Sequence, residues 1–170
     1  MNQLFLLDTS VIIHLVRGTE VCQRILRLYD LIHCQPRPLA SVVSLAEVRV
    51  LAEVNHWGER KRQALERTLQ SLVVVDIHHP LVIDAYVRID LHARQHPKGA
   101  RHMGKNDLWI AACAAAADAF LLSTDDDFEH LIPDQVRGDV IPVIPPSASS
   151  RSEEHTSELQ SPCNLVCRLL

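Results

Sequence analysis

The stretch LFLLDTS, residues 4–10, decides the fold of this chain. Its first four residues are apolar without interruption, which is typical of a short strand that is buried on both faces. Asp8 follows at once, and together with Thr9 and Ser10 it offers side-chain oxygens that can cap the N-terminus of a helix. A buried strand that runs directly into a capped helix predicts a domain in which parallel strands alternate with helices.

The rest of the chain repeats this alternation. Pro36 and Pro38 interrupt it before an apolar run, and Ser44 is followed three residues later by Glu47, which is the spacing of a capping box. Strands are predicted at 4–7, 39–43, 72–75, 120–122 and 140–144, and helices after Asp8 and at 20–33, 44–54, 59–70, 81–95 and 106–117. The fold class is therefore α/β, a three-layer α/β/α sandwich with a mainly parallel central sheet. In such sheets, ligands bind beyond the carboxyl ends of the strands.

The composition is that of one globular domain with a buried core, since 47% of the 170 residues are hydrophobic. No apolar run approaches the roughly 20 residues of a membrane-spanning helix, and no secretory signal precedes the first strand. We therefore expect no membrane association and a cytoplasmic location. The net charge of −4 does not by itself indicate a nucleic-acid binder, but it is compatible with an acidic site that cations neutralise. The spacing of the five cysteines indicates neither a disulfide framework nor a zinc site.

The last residues differ in character from the rest. From Ser147 onward the sequence has little apolar content and no helical or strand period. The segment RSEEHTSELQS, residues 151–161, resembles the translation of a sequencing adapter. We therefore expect one domain at 1–146 and a disordered or non-native tail at 147–170, with a genuine disordered tail as the alternative for the last twenty residues.

Four acidic residues are expected to meet at one edge of the sheet. Asp8 and Asp125 come just after predicted strands, Asp107 opens a helix, and Glu47 lies in the first turn of another. Carboxylates gathered in this way repel one another unless cations bind between them, and hard oxygen ligands suit Mg²⁺ or Mn²⁺. Taken singly, each acid has another explanation: Asp8 as a helix cap, Asp107 as an acid favoured by the helix dipole, and Glu47 as a capping-box partner.

Four segments carry a resemblance to a known family. LFLLDTSVII, SLAEVRVL, GKNDLWIAACA and LLSTDDDF resemble, in their order and separation, the four motif blocks of the PIN domain. The resemblance covers about residues 3–144, and within the family it is closest to the VapC toxins of type II toxin–antitoxin systems. It implies a PIN-like α/β/α fold for the domain at 1–146.

The resemblance also implies a site and its chemistry. It places catalytic carboxylates at Asp8, Glu47, Asp107 and Asp125, metal ligands at Asp8, Asp107, Asp125 and Asp127, and supporting hydroxyls at Ser10 and at Ser123 or Thr124. Asp125, Asp126 and Asp127 are consecutive, so the fourth acid of the family could be assigned to more than one of them. Counting back from Phe128 favours Asp125, with Asp127 as a second contributor and Asp126 solvated. In this scheme Mg²⁺ or Mn²⁺ activates a water that hydrolyses an RNA phosphodiester bond, and Glu47 orients that water. The implied partners are the RNA substrate, a cognate antitoxin and a second copy of the chain in a homodimer.

A basic segment precedes the third motif block. It contains four cations with no acid between them, namely Arg94, Lys98, Arg101 and Lys105. A basic loop beside an acidic site is placed to bind RNA phosphates, and an ordinary solvated loop is the alternative. His92, His96 and His102 lie in the same segment, but their spacing matches no strong zinc site. A second basic run, residues 60–62, is expected to form a solvated helix face.

Other function classes remain open at this point. A phosphatase of the haloacid-dehalogenase type also places an Asp after its first strand, but it needs a second Asp two residues later, where this chain has Ser10. A housekeeping RNA-processing nuclease of the PIN family is another possibility. A PIN domain that only binds RNA usually loses some of the acids, whereas this chain retains all four.

Overall fold

The computed structural model describes residues 3–95 and 103–143. Within them, five strands alternate with helices. The strands are β1 (Phe5–Leu7), β2 (Leu39–Ser41), β3 (Val73–Val75), β4 (Phe120–Ser123) and β5 (Gly138–Val140). The helices are α1 (Thr9–Arg17), α2 (Glu20–Tyr29), α3 (Val42–Val54), α4 (Glu59–Ser71), α5 (Pro80–Arg94) and α6 (Lys105–Ala116), with a 3₁₀ helix at Asp126–Leu131. Across these described ranges, none of the helices combines the length and apolar character needed to cross a membrane.

All five strands lie in one parallel sheet, in the order β3-β2-β1-β4-β5. β1 is therefore central, with Leu6 opposite Leu39 of β2 and opposite Leu121 of β4. Because neighbouring strands run in the same direction, the residues that follow β1 and β4 emerge side by side at one edge. The α/β fold class with a parallel central sheet is confirmed.

Helices cover both faces of the sheet. Successive side chains on a strand point to opposite faces: Leu6 packs in a core with α5 and α6, whereas Leu7 packs in a second core with α1 to α4. Leu121 and Leu122 of β4 divide in the same way. All four leucines are at most 1% exposed. Strands buried on both faces consist of continuous apolar runs, which is why the sequence identifies β1 and β4.

The last strand lies earlier than the sequence predicts. The apolar residues within 140–144 indicated a strand there, but β5 begins at Gly138, which lies opposite Leu121. A Cβ built on Gly138 would lie 2.5 Å from the Leu121 carbonyl oxygen and 3.0 Å from the Leu121 Cβ, so glycine permits the close approach of the two strands. A glycine among polar residues does not look like a strand in sequence. The position of β5 is therefore determined by backbone pairing with β4 and not by an apolar pattern.

Two helix ends also differ from the sequence prediction. Ser41, not Ser44, is the N-cap of α3, and its Oγ accepts a hydrogen bond from the backbone N–H two residues further on at 3.2 Å. Ser44 is fully buried inside the helix, so the predicted capping box with Glu47 is wrong. α2 ends at Tyr29 instead of continuing to 33, because Asp30 adopts the left-handed conformation with φ 46°.

We expect Gly138→Ala to destabilise the fold, because the added methyl group meets the β4 backbone, which cannot move aside like a flexible side chain. Overpacking of this kind costs about 1–3 kcal/mol, so the urea midpoint of unfolding should fall clearly. Gly58→Ala is the matched control: nothing lies within 4 Å of a Cβ at that position. Its weaker N-cap should cost only about 0.5 kcal/mol. Equal midpoints for the two variants would contradict this account of β5.

Candidate active site

The carboxyl ends of β1 and β4 place the first part of the site. Asp8 follows β1 directly, and its backbone N–H donates to the Leu122 carbonyl at 3.0 Å, which continues the pairing of the two strands. Ser123 ends β4. Both residues are buried, Asp8 at 3% and Ser123 at 0% exposed. Asp8 is also the N-cap of α1, so a single residue joins strand, helix and site.

The Asp8 carboxylate is held by four hydrogen bonds. Its Oδ1 accepts from the Thr9 N–H at 2.6 Å, and its Oδ2 accepts from the Ser10 N–H at 3.3 Å, the Ser10 hydroxyl at 2.6 Å and the Ser123 hydroxyl at 2.8 Å. Burial raises the pKa of Asp8, and these hydrogen bonds oppose the rise. The same bonds fix the orientation of the carboxylate. The structure thus brings two of the expected supporting hydroxyls, Ser10 and Ser123, onto Asp8.

The two hydroxyls also connect Asp8 to the residues that follow β4. The Ser10 Oγ accepts from the Thr124 backbone N–H at 3.0 Å, and the Ser123 Oγ accepts from the Asp125 backbone N–H at 3.0 Å. Thr124 therefore contributes its backbone N–H to this network, where the sequence suggested its hydroxyl. Asp125 is exposed, whereas Asp8 is buried.

Three consecutive acids begin the 3₁₀ helix, and they differ in their relation to the site. Asp125 is the N-cap, and its Oδ1 accepts from the Asp127 N–H at 3.0 Å. The charges of Asp125 and Asp127 contribute to the raised pKa of Asp107, and Asp126 is not among the contributors. All three are exposed, and Asp126 differs from the other two in that its charge does not contribute to the pKa of Asp107.

Glu47 reaches the site from α3 and is held at both carboxylate oxygens. Oε2 accepts a hydrogen bond from the Thr9 hydroxyl, and Oε1 accepts from the Asn106 side-chain amide at 2.6 Å. These bonds tie the second turn of α3 to the starts of α1 and α6. Thr9 and Asn106 were not identified from the sequence as site residues. Each could have been identified by its position, because Thr9 follows Asp8 and Asn106 precedes Asp107 in the sequence.

Asp107 is half-buried in the first turn of α6. Burial raises its pKa, and the negative charges of Asp8, Asp125, Glu47 and Asp127 raise it further, to about 6. Hydrogen bonds connect the elements that carry these acids. Ser123 donates to Asp8 and accepts from the Asp125 backbone N–H, and Asn106, which precedes Asp107, donates to Glu47. The acids predicted from the sequence thus lie on elements that meet at this edge, and their catalytic and metal-binding roles stay predictions.

Gly104, the N-cap of α6, provides the space that Asp107 occupies. A Cβ built on Gly104 would lie 2.5 Å from the Asp107 Oδ2. A larger residue at this position would displace the carboxylate, because the side-chain end moves more easily than the backbone. The glycine therefore matters for the position of the acid more than for the stability of the helix, which has no side-chain cap at this residue.

The donor set suits a hard divalent cation. The converging acids offer carboxylate oxygens, which Mg²⁺ and Mn²⁺ prefer, and the raised pKa of Asp107 reflects a repulsion that a cation would relieve. In the described ranges, no three His, Cys, Asp or Glu side chains are gathered into a ready-made metal-binding group. The chemistry of the residues therefore fits such an ion, and coordination requires their side chains to close on it.

The basic residues expected to bind RNA are described in part. Arg94 ends α5, and its guanidinium pairs with Asp90 at 2.8 Å, which neutralises its charge locally. Lys105 is exposed at the start of α6. Lys98 and Arg101 lie outside the described residues. Lys105 lies two residues before Asp107 on α6. Among the described residues it has no carboxylate partner, so its charge remains available to a phosphate.

The sheet, the acids at its carboxyl edge and the sequence together define the class of protein. The family model of the PIN domain matches residues 5–132, a range that contains all of the acids described above. The chain belongs to the PIN-domain family. It is 33% identical over 126 residues to ribonuclease VapC5 of Mycobacterium tuberculosis (strain ATCC 25618 / H37Rv), a match that covers 74% of this chain and 85% of that protein.

Solved structures share the fold. VapBC2 from Rickettsia felis, in a crystal structure with a DNA fragment from its promoter, is 19% identical with a TM-score of 0.66, and the match covers 81% of this chain and 98% of that one. VapBC-5 from Mycobacterium tuberculosis, a member of a family of toxin–antitoxin systems, is 26% identical with a TM-score of 0.57, covering 82% and 98%. The PIN-like fold and the resemblance to VapC proteins are thereby confirmed.

We expect Asp107→Asn to stabilise the metal-free protein as the pH rises. The fold raises the pKa of Asp107 from 3.8 to about 6, so folding favours the protonated form. The stability that this provides is present at low pH and is lost as the pH rises through about 6. A shift of two units corresponds to about 3 kcal/mol. Because the side chain is half exposed, solvent screening reduces this to about 1 kcal/mol.

Urea unfolding in EDTA between about pH 4 and 8 measures this effect. The difference in unfolding free energy between Asp107→Asn and wild type should be near zero at the acid end and about 1 kcal/mol in favour of the variant at the alkaline end. Asp126→Asn is the control, because its charge does not act on Asp107. A difference for Asp107→Asn that does not vary with pH would show that the acids do not repel one another as described.

Proposed function

We propose that this protein is a divalent-metal-dependent endoribonuclease and the toxin of a VapBC-like toxin–antitoxin pair. The observation that carries the proposal is the hydrogen-bond network that brings Asp8, Glu47 and Asp125 to the same edge of the sheet as Asp107, in a chain of the PIN-domain family. The 33% identity with ribonuclease VapC5 supports RNA as the substrate. The fold shared with VapBC proteins supports the toxin assignment.

Four acids would hold the metal in this proposal: Asp8, Asp107, Asp125 and Asp127. When bound, Mg²⁺ or Mn²⁺ lowers the pKa of water and offsets negative charge at a phosphate. Asp8 provides a fixed ligand, because its four hydrogen bonds orient it in the buried part of the site. Asp125 and Asp127 are exposed and close to the start of a short 3₁₀ helix, where they can adjust to a substrate.

Glu47 orients the attacking water in this proposal. Both of its oxygens accept hydrogen bonds, from Thr9 and Asn106, so its position is set before substrate binds. Each carboxylate oxygen retains a further lone pair that can accept a hydrogen bond from water. The water oxygen forms a bond to phosphorus as the bond to the leaving ribose oxygen breaks. The attacking water releases one proton to solvent and the leaving oxygen takes one up from solvent, so the step balances. No side-chain nucleophile is required.

The alternative functions have less support. In a phosphatase of the haloacid-dehalogenase type, the residue two after the first Asp is a second carboxylate, whereas Ser10 here donates its hydroxyl to Asp8. A PIN domain that only binds RNA would have no use for mutually repelling acids that cost stability, which favours a catalytic role. A housekeeping PIN ribonuclease would share the same chemistry and would differ in its partner. The assembly experiment below separates that case.

We expect Asp8→Asn to lower the rate of RNA cleavage about a hundredfold or more, because metal-assisted charge stabilisation at a phosphate is worth several kcal/mol. Asparagine keeps the size of the side chain and one acceptor oxygen, so the fold should survive. The melting temperature should fall, because the amide NH2 cannot accept the hydrogen bonds that the second oxygen of Asp8 accepts. The measurement is the initial rate with a labelled RNA in Mg²⁺ or Mn²⁺, together with the melting temperature of each variant.

Asp126→Asn is the matched control, since it removes one charge from an exposed acid that does not act on Asp107. Its rate should stay within about twofold of wild type. Excess EDTA should abolish cleavage by the wild-type protein. Full activity in EDTA, or a wild-type rate for folded Asp8→Asn, would overturn the proposed function.

We also propose that the protein assembles with a cognate antitoxin, and with a second copy of itself, in the cytoplasm. An antitoxin arginine or lysine that reaches the acids would satisfy their charge in place of metal. The solvent side of α5 carries Ile83, Val87 and Leu91, spaced four residues apart and 44%, 52% and 49% exposed. An apolar stripe of this kind suits the pairing of two copies.

Co-expression with the protein encoded beside it, followed by light scattering, tests this assembly. We expect a complex that contains two copies of this chain, and we expect Val87→Glu to reduce the purified chain to a monomer because a charge is placed in the apolar stripe. Leu28→Glu is the control, because Leu28 is 65% exposed on a different helix, α2. Failure to form a complex would contradict the antitoxin proposal, and an unchanged mass for Val87→Glu would contradict pairing through α5.

A further inference from the structure

Two cations from different helices converge on Trp57. The Lys61 Nζ lies 3.7 Å from the centroid of the indole ring, and the Arg17 Cζ lies 5.8 Å from it. Both distances are within the range of about 6 Å over which a cation is attracted to an aromatic face. Arg17 is in the last turn of α1, and Lys61 is in the first turn of α4. We refer to Arg17 and Lys61 as the cation pair.

The cation pair has no acidic partner among residues 3–95 and 103–143. The neighbouring Arg62, in contrast, pairs with Glu53 on α3. Burial lowers the pKa of Lys61, and the positive charge of Arg17 lowers it further. The two charges therefore repel each other and are not neutralised within the described part of the protein. An anionic ligand would relieve that repulsion.

The position of Lys61 is costly for a residue with a purely structural role. A cation in the first turn of a helix is disfavoured by the helix dipole, and Lys61 is also partly buried. The sequence predicted a solvated face for residues 60–62, which holds for the exposed Arg60 but not for Lys61. Trp57 is only 6% exposed, so it offers no open ring for stacking and no apolar anchor. What this site offers to a ligand is charge.

Helix α1 connects the acidic site to the cation pair, with Asp8 at its N-terminus and Arg17 in its last turn. Ser10, which donates to Asp8, precedes Arg17 by seven residues on α1. Residues seven apart lie on one helix face, about 10 Å apart along the axis. α1 has the sequence TSVIIHLVR, without an acid that would repel a polyanion between the two points. The spacing corresponds to about three nucleotides of a stacked strand.

We propose that Arg17 and Lys61 form a phosphate-binding subsite for an RNA strand that runs along α1 from the acidic site. The inference rests on the proposed function, because it takes RNA as the substrate. The carboxylates of the proposed active site repel the RNA phosphates. Arg17 and Lys61, about 10 Å away along α1, attract the phosphates and are too far from the carboxylates to neutralise them. A phosphate has several acceptor oxygens for two separate donors. Trp57 is 6% exposed and offers no apolar contact to a peptide segment, so the site recognises its ligand through charge.

Fluorescence anisotropy with a fluorescein-labelled, single-stranded RNA of about 12 nucleotides, in EDTA, tests the subsite. Arg17→Gln and Lys61→Gln keep most of the side-chain stem on Trp57 and remove the charge. We expect the double variant to weaken binding about tenfold and to reduce the slope of log K against log salt by about 1. With Mg²⁺, KM should rise by a similar factor while kcat stays within about twofold.

Arg60→Gln is the matched control, because it removes an exposed charge one residue away that does not contact Trp57. It should leave RNA binding nearly unchanged, and Lys61→Arg, which keeps the charge, should bind like wild type. Should Arg60→Gln weaken binding as much as Lys61→Gln, the effect is general electrostatics and the subsite is wrong. The same follows if Lys61→Arg loses binding along with Lys61→Gln, since packing rather than charge is then responsible.

Two further outcomes separate the subsite from the proposed function. RNA binding that depends on Arg17 and Lys61 in a protein that never cleaves RNA would support the subsite and contradict the nuclease assignment. Normal metal-dependent cleavage with unchanged KM in the double variant would support the nuclease and overturn the subsite. Variants that bind RNA normally but lose the antitoxin complex would show that the cation pair binds a protein carboxylate, which also overturns it.

Discussion

The buried carboxylate of Asp8 is the constraint on which the rest of the site depends. A charge at 3% exposure costs several kcal/mol unless hydrogen bonds replace its water. Here the replacement comes from Thr9, Ser10 and Ser123, at the start of α1 and the end of β4. The charge is satisfied only when β1 and β4 are parallel neighbours and α1 begins where β1 ends. The chemistry and the topology of the domain are therefore stabilised by the same hydrogen bonds.

The other acids are less restrained than Asp8. Glu47 is held by two hydrogen bonds, Asp107 is half-buried with a pKa raised to about 6, and Asp125 is exposed. In the proposed function, a fixed Asp8 and more adjustable outer acids would suit an ion that accommodates both protein and substrate. The repulsion that remains around Asp107 lowers the stability of the metal-free protein, which is the common cost of a prearranged polar site.

The sequence predicts what depends on local pattern and order, and it fails where distant residues decide. The buried runs of β1 and β4 are visible because both faces are covered, and the acids at strand ends follow from the parallel topology. Gly138 forms a strand because it permits close approach to β4, which no apolar period reveals. Asn106 contacts Glu47 across 59 residues, and Lys61 contacts Trp57 only once α4 has folded. These partners are set by tertiary packing, so a linear pattern does not identify them.

Helix α1 places opposite charges at its two ends in agreement with its dipole. Asp8 caps the N-terminus, where a negative charge is favoured, and Arg17 lies in the last turn, where a positive charge is favoured. Helix α1 therefore holds Asp8 and Arg17 at opposite ends, and the helix dipole disfavours neither charge. Lys61 differs, because the first turn of α4 disfavours it. The attraction to Trp57, about 0.5–1 kcal/mol at a site open to solvent, offsets part of the cost that the helix dipole and the neighbouring Arg17 impose on Lys61.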